Sequence, residues 1–243
     1  MKSLYESLLD DFDTIETNAN PVSEIRKFIE DNYEYNNELK ISKKPNKNGY
    51  YEVSINGDVY IADYEIQSLT NGIFIWKQVK GVFNCEDCNN LTSLEGAPLK
   101  VEVFKCAFCN GLTSLKGAPK ITSYGFDCHS CDNITTLEGA PEEVGGGFDC
   151  SSCEKLISLK GAPKKVDGFF NCEWCPSLTS LEGAPREVNN DFRCSGCSKL
   201  KSLKGAPKKI GRTIYCSGCG KQFTMADIEK HIDEIHIKDI IDL

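Results

Sequence analysis

No run of about 18 consecutive apolar residues occurs, so no membrane-spanning helix and no membrane partner are expected. The opening stretch turns acidic at Asp10-Asp11 and has no apolar core of the kind a secretory leader needs, which predicts a cytoplasmic protein. Positive charge is short: 28 Lys and Arg face 36 Asp and Glu, a net charge of −8. Phosphate backbones are gripped mainly by Lys and Arg, so a nucleic-acid partner is not expected. Histidine is scarce, at 3 residues. No Ser/His/Asp set, phosphate-cradling loop or spaced carboxylate pair emerges, and the expectation is a protein that is not an enzyme.

Cysteine, in contrast, is plentiful, at 14 residues. In a chain with no export signal these read as reduced thiols or metal ligands, not disulfides. They form C-x-x-C pairs at 85/88, 106/109, 128/131, 150/153, 172/175, 194/197 and 216/219. A phenylalanine precedes each pair at 83, 104, 126, 148, 170 and 192, with Ile214 in the same place. The period is 22 residues, shortened once to 21 between Phe83 and Phe104. Self-similarity at such a period is the mark of a solenoid, in which no rung can bury its apolar face alone.

Within a rung, Phe-x-Cys has period two and puts both side chains on one face of a short strand. Pairs such as Leu156 and Leu159 supply the rest of the core. Gly-Ala-Pro follows at 96–98, 117–119, 139–141, 161–163, 183–185 and 205–207, and a Val or Ile such as Val144 or Val166 closes the coil. The residue before Gly-Ala-Pro runs Glu95, Lys116, Glu138, Lys160, Glu182, Lys204. Stacked rungs would set each acid beside a base, about 0.2–1 kcal/mol per exposed pair.

The array is expected over 79–219. Residues 1–37 read as helical, with Leu4, Leu8, Phe12 and Ile15 on one stripe of an acidic helix and Asn20-Pro21 starting a second one. These helices would cover the solenoid's open end or dock a partner. Residues 38–78 read as a hairpin about Asn56-Gly57 followed by a degenerate rung through Ile66, Leu69, Ile73 and Ile75. Residues 220–243 read as a capping helix.

The wording Phe-x-Cys-x-x-Cys-x-x-Leu-Thr-Ser-Leu resembles the cysteine-containing leucine-rich repeat over some 140 residues. The resemblance implies an α/β solenoid of about 22-residue rungs with short parallel strands, an α+β N-terminal cap and a helical C-terminal cap. It also implies that Cys153 and its equivalents turn inward to bond backbone groups at the strand's end. Cysteine at the second leucine position and the fixed Gly-Ala-Pro depart from that family. Leu-Thr-Ser-Leu-Glu-Gly-Ala-Pro is further similar to arrays of gut bacteria and their bacteriophages, which implies a protein-binding scaffold in a bacterial host cytoplasm, with a virion component as an alternative. Ligases of the leucine-rich-repeat effector type carry a large extra domain, for which the 24 residues after Cys219 (243 − 219) leave no room.

C-x-x-C pairs about 18 residues apart also match zinc-ribbon spacing, and a multi-zinc protein handling nucleic acid is a second alternative. Strand residues three apart lie ~10 Å from each other, whereas sulfurs on one zinc converge within ~4 Å. Core cysteine is therefore the better reading for Cys85 to Cys197. At the end, Cys216, Cys219, His231 and His236 approach a two-Cys, two-His finger, with a helix expected over 225–236. One structural zinc there, or a plain capping helix whose Phe223, Met225 and Ile228 cover the last rung, both fit.

Outward strand positions offer a docking strip for a protein partner. It comprises Lys105, Phe108, His129, Phe169, Asn171, Trp174, Arg193 and Tyr215, rich in the aromatic and Arg types that dominate interface energetics.

Overall fold

The computed structural model describes residues 20–235, so the helix expected on Leu4, Leu8, Phe12 and Ile15 lies outside the described residues, as does His236. The chain is a parallel β-solenoid. Among the described residues there are two helices, one at each end and none within a rung.

Asn20 caps α1 (Pro21–Asn32) by accepting a hydrogen bond from the Val22 N–H at 3.1 Å, and Pro21 opens the helix without a donor to strand. The chain then enters β1 (Tyr33–Tyr35) and β2 (Leu39–Ile41). Residues 33–35 are thus strand where helix was expected to run to 37. The first coil follows as β3 (Tyr51–Ile55) and β4 (Val59–Ile61). These do not pair with each other. Both lie parallel to β5 (Phe74–Asn84), and their other edges take β2 and β1 in antiparallel fashion. Asn56-Gly57 is therefore a corner of the solenoid and not a hairpin. The chain bends there without closing a hydrogen-bonded turn, and Val53, Ile55, Val59 and Ile61 are all buried, which a shared interior rewards more than pairing with one another.

Two parallel ladders run the length of the array. One passes through β6 (Lys100–Lys105), β7 (Ile121–Asp127), β9 (Gly147–Asp149), β11 (Phe170–Asn171), β13 (Phe192–Arg193) and β15 (Ile214–Tyr215), aligning Phe83, 104, 126, 148, 170, 192 and Ile214. The other shares β5 to β7 and continues through β8 (Glu143–Val144), β10 (Lys165–Val166), β12 (Glu187–Val188) and β14 (Lys209–Ile210) to β16 (Glu234–Ile235). The 21-residue step has a local cause. Val79 pairs with Val101 and Thr122 with Val101, while Val82 pairs with Val103 and Gly125 with Val103, so β6 rounds its corner with one residue fewer than its neighbours.

The interior is one continuous apolar column. Rings of successive phenylalanines from Phe83 to Phe192 stack at 5.3–5.6 Å with planes 2–15° apart. Leu91, Leu94 and their equivalents are buried throughout. In each Gly-Ala-Pro the alanine N–H donates to the carbonyl three residues back, as from Ala162 to Leu159 at 3.0 Å. The glycine is the third residue of that turn; at Gly161 φ is +89°, and an added Cβ would sit 2.5 Å from the Glu138 nitrogen of the rung below. The Glu/Lys row closes as separate pairs, Glu95–Lys116 at 2.9 Å, Glu138–Lys160 at 2.7 Å and Glu182–Lys204 at 3.0 Å. All six side chains are well exposed, so they add little.

Ile25, Ile29 and Phe28 of α1 cover the N-terminal end, Phe28 meeting Phe74 edge-on at 5.9 Å. At the other end Thr224 and Asp227 form a capping box on α2 (Met225–His231), which buries Ile228 beside Phe223. This helix stops at His231 instead of reaching 236. Ile232 turns extended, and the Asp233 N–H donates to Lys208 at 3.0 Å, so the chain gains a place on the ladder at β14 in exchange for another helical turn.

Phe148→Ala should remove one ring from the column and cost about 3–5 kcal/mol in urea unfolding. Ile157→Ala, on the same rung but half exposed, should stay within about 0.5 kcal/mol of the parent.

Candidate functional site

Each C-x-x-C pair marks the place where the chain leaves the phenylalanine ladder. The strand ends before the first cysteine, and the third residue of every pair takes a left-handed conformation: Asp87, Phe108, Ser130, Ser152, Trp174, Gly196 and Gly218, with φ between 54° and 72°. That bend turns the second cysteine inward beside the first. The straight-strand separation of ~10 Å expected between paired cysteines therefore does not apply.

The sulfurs are occupied in another way. From the second pair onward the second cysteine donates to the carbonyl of the first cysteine one rung back, from Cys109 to Cys85 at 2.9 Å through Cys219 to Cys194 at 3.2 Å, while Cys88 of the first pair turns to Glu86. First cysteines donate forward, as Cys150 does to Asn171 at 3.3 Å. The second cysteines thus satisfy carbonyls that the ladder leaves at its corner, whereas the carbonyl Cys150 reaches already accepts that residue's own N–H. Among the described residues no three His, Cys, Asp or Glu side chains are grouped to hold a metal. His231 ends α2 and the chain beyond it is extended through β16, while His236 lies outside the described residues.

Burial pushes most of these thiols up, to about 12 at Cys88, Cys175 and Cys197 and to about 11 at Cys216. Cys219 alone is shifted down, chiefly by its bond with Cys194, and is only partly buried.

The outward strip divides into two clusters. Nearer the N-terminus, Phe108 and His129 meet edge to face at 4.7 Å, and His129 Nδ1 lies 2.8 Å from Asp127. Among the described residues no nucleophile bonds that imidazole. Lys105 stands 4.0 Å from Glu86. Towards the C-terminus, the Arg193 guanidinium lies 5.9 Å from the Phe169 ring and 5.0 Å from that of Tyr215, with Asp191 accepting its Nη2–H at 3.1 Å. Asn171 donates to Asp149 at 3.0 Å. Trp174 is 65 % exposed and its ring lies over Gly196, where an added Cβ would come within 2.5 Å of it. About three strand spacings, ~14 Å, separate the two clusters. A bulky side chain in the left-handed region costs about 1–2 kcal/mol, and glycine occupies the same register at 196 and 218 without it. Phe108 and Trp174 are therefore aromatic where local conformation favours glycine, serine or aspartate. The signal was present in the alignment of rungs but needs the backbone conformation to be read.

Comparison with known proteins returned nothing: no family model, no curated protein and no solved structure matches the chain.

Two outcomes follow for the thiols. Titration of the native protein with a disulfide reagent at pH 8 should show Cys219 reacting first, and the buried cysteines only on unfolding. In the unfolded chain thiols ionise near 9.0, whereas the buried ones hold their protons to about 12. Their contribution to stability is complete below pH 9.0 and is lost as pH rises towards 12, so the urea midpoint under reductant should fall between pH 8 and pH 10. Cys219, shifted the other way, offsets a small part of that fall.

Proposed function

We propose that this chain is a non-catalytic scaffold of leucine-rich-repeat-like type whose outward strip docks a protein partner. The observation that carries the reading is Trp174, a large aromatic held exposed in a backbone conformation unfavourable to it, beside the Phe169–Arg193–Tyr215 stack. Strain retained at an exposed aromatic is better repaid by a contact with another molecule than by packing within this one. A rigid row of side chains at one strand spacing also loses little conformational freedom on binding. Buried, protonated thiols fit a reducing compartment such as a bacterial cytoplasm. A structural zinc at Cys216 and Cys219 would have to displace the Cys219–Cys194 bond.

The test is retention of host or phage proteins on immobilised chain. Trp174→Ala and Arg193→Glu should each weaken a specific retained protein by at least about tenfold, roughly 1.4 kcal/mol, with the thermal midpoint of Trp174→Ala not lowered. Lys164→Glu, elsewhere on the coil, should leave retention unchanged. Equal retention by all variants would remove the strip from consideration.

A further inference from the structure

The second ladder carries a different surface. Its outward row reads Lys100, Ile121, Glu143, Lys165, Glu187, Lys209 in register, charged everywhere except at Ile121. The row before it runs Leu99, Lys120, Glu142, Lys164, Arg186, Lys208, charged everywhere except at Leu99. Tyr124 stands where later rungs place Gly146, Gly168 and Asn190. Leu99, Ile121 and Tyr124 are 54, 55 and 64 % exposed. Single exposed apolar side chains are ordinary on a protein surface, but three gathered on neighbouring rungs form a patch. A groove of about 700 Å³ opens over these rungs, with Val79, Leu99 and Ile121 on its walls. Lys80, Lys100 and Lys120 stand around it with a single acid, Glu102. Among the described residues none of these three lysines has a carboxylate partner. Acids to either side are taken: Glu142 by Lys164 at 3.6 Å, and Glu52 by Lys77. In a chain whose acids outnumber its bases, 36 to 28, the groove is thus a local excess of positive charge around exposed aliphatic side chains.

We infer that this groove docks a short acidic segment of another protein, whose aliphatic side chains seat against Leu99 and Ile121 while its carboxylates meet Lys80, Lys100 and Lys120. Apolar contact supplies the burial, and the lysines select the sign of charge and set the orientation. The volume suits a few side chains of a peptide and not a folded domain, since small-ligand sites run from about 300 to 1,000 Å³. Charge and chemistry set the other occupants aside. A nucleic acid would meet three lysines on a chain of net charge −8 and would leave the aliphatic walls unused. A second copy, docked face to face through the same groove, would set these lysines against their own equivalents. The groove lies on the other ladder from Trp174 and Arg193, so it stands independently of the aromatic strip.

Fluorescence anisotropy of the full-length protein with three labelled ten-residue peptides tests this. The first alternates Glu and Leu, the second has Lys in place of every Glu, and the third has Ser in place of every Leu. The Glu/Leu peptide should bind with a Kd below about 1 mM, and the other two at least about tenfold more weakly. Raising NaCl from about 50 to about 500 mM should weaken the first peptide further. Ile121→Ser and the double variant Lys100→Gln, Lys120→Gln should each weaken it about tenfold at an unchanged thermal midpoint, because all three positions are exposed. Trp174→Ala should leave its affinity unchanged. No binding of the Glu/Leu peptide, equal affinity for the Lys/Leu peptide, or loss of binding in Trp174→Ala would each overturn the inference. Displacement of the peptide by decathymidylate or by phosphatidylglycerol vesicles would overturn it in favour of a nucleic acid or a membrane surface. A dimer in sedimentation that Ile121→Ser dissociates would overturn it in favour of a second copy.

Discussion

The spacing between parallel strands, about 4.8 Å, is the constraint from which the rest of this molecule follows. Residues one period apart must sit directly above one another at that distance. Phenylalanine rings then have no choice but to stack, as they do from Phe83 to Phe192. The same spacing brings each second cysteine from Cys109 onward under the carbonyl of the preceding rung and sets Lys116, Lys160 and Lys204 beside their acids. A coil removed from the column would retain none of these contacts, which is why the stability of such an array resides in its interfaces.

The ends obey the opposite requirement. A parallel ladder cannot stop without exposing a strand edge and a cross-section of core. Here the first coil turns its edges antiparallel, through β1 and β2, and α1 covers the aromatic floor, where both Tyr33 and Trp76 donate to the single carbonyl of Leu69 at 2.9 and 3.2 Å. At the far end a seven-residue helix buries Phe223 and Ile228 before the chain rejoins the second ladder. Antiparallel strands and helices are thus confined to places where repetition must be broken.

Surface character is distributed along the coil by the same geometry. One ladder presents aromatic and guanidinium groups around Trp174 and Arg193; the other presents exposed aliphatics among lysines over its first rungs and charges of alternating sign thereafter. Repetition makes both strips straight and rigid, so a change at one register position alters the surface without disturbing the column beneath it.

The period, the inward positions and the stacking could be read from the sequence alone, because Phe-x-Cys, Leu-x-x-Leu and Gly-Ala-Pro each report a local need that recurs in every rung. The aromatic and charged residues of the outward strip were legible as residue types at outward positions. Its two clusters were not, since the Arg193–Phe169 and Phe108–His129 contacts join residues about one rung apart whose meeting depends on how the corner bends. Asn56-Gly57 shows the same limit: the hairpin expected there is a bend, and whether the flanking strands pair with each other or with a third strand is settled by which arrangement buries more apolar surface. The conformation of the cysteine corner, with its left-handed third residue and its thiol-to-carbonyl bonds, likewise follows from neighbours a full period away. Local pattern thus determined what each residue needs, and only the stacked column decided which partner meets that need, because those partners come together through a fixed spacing in space and not through proximity along the chain.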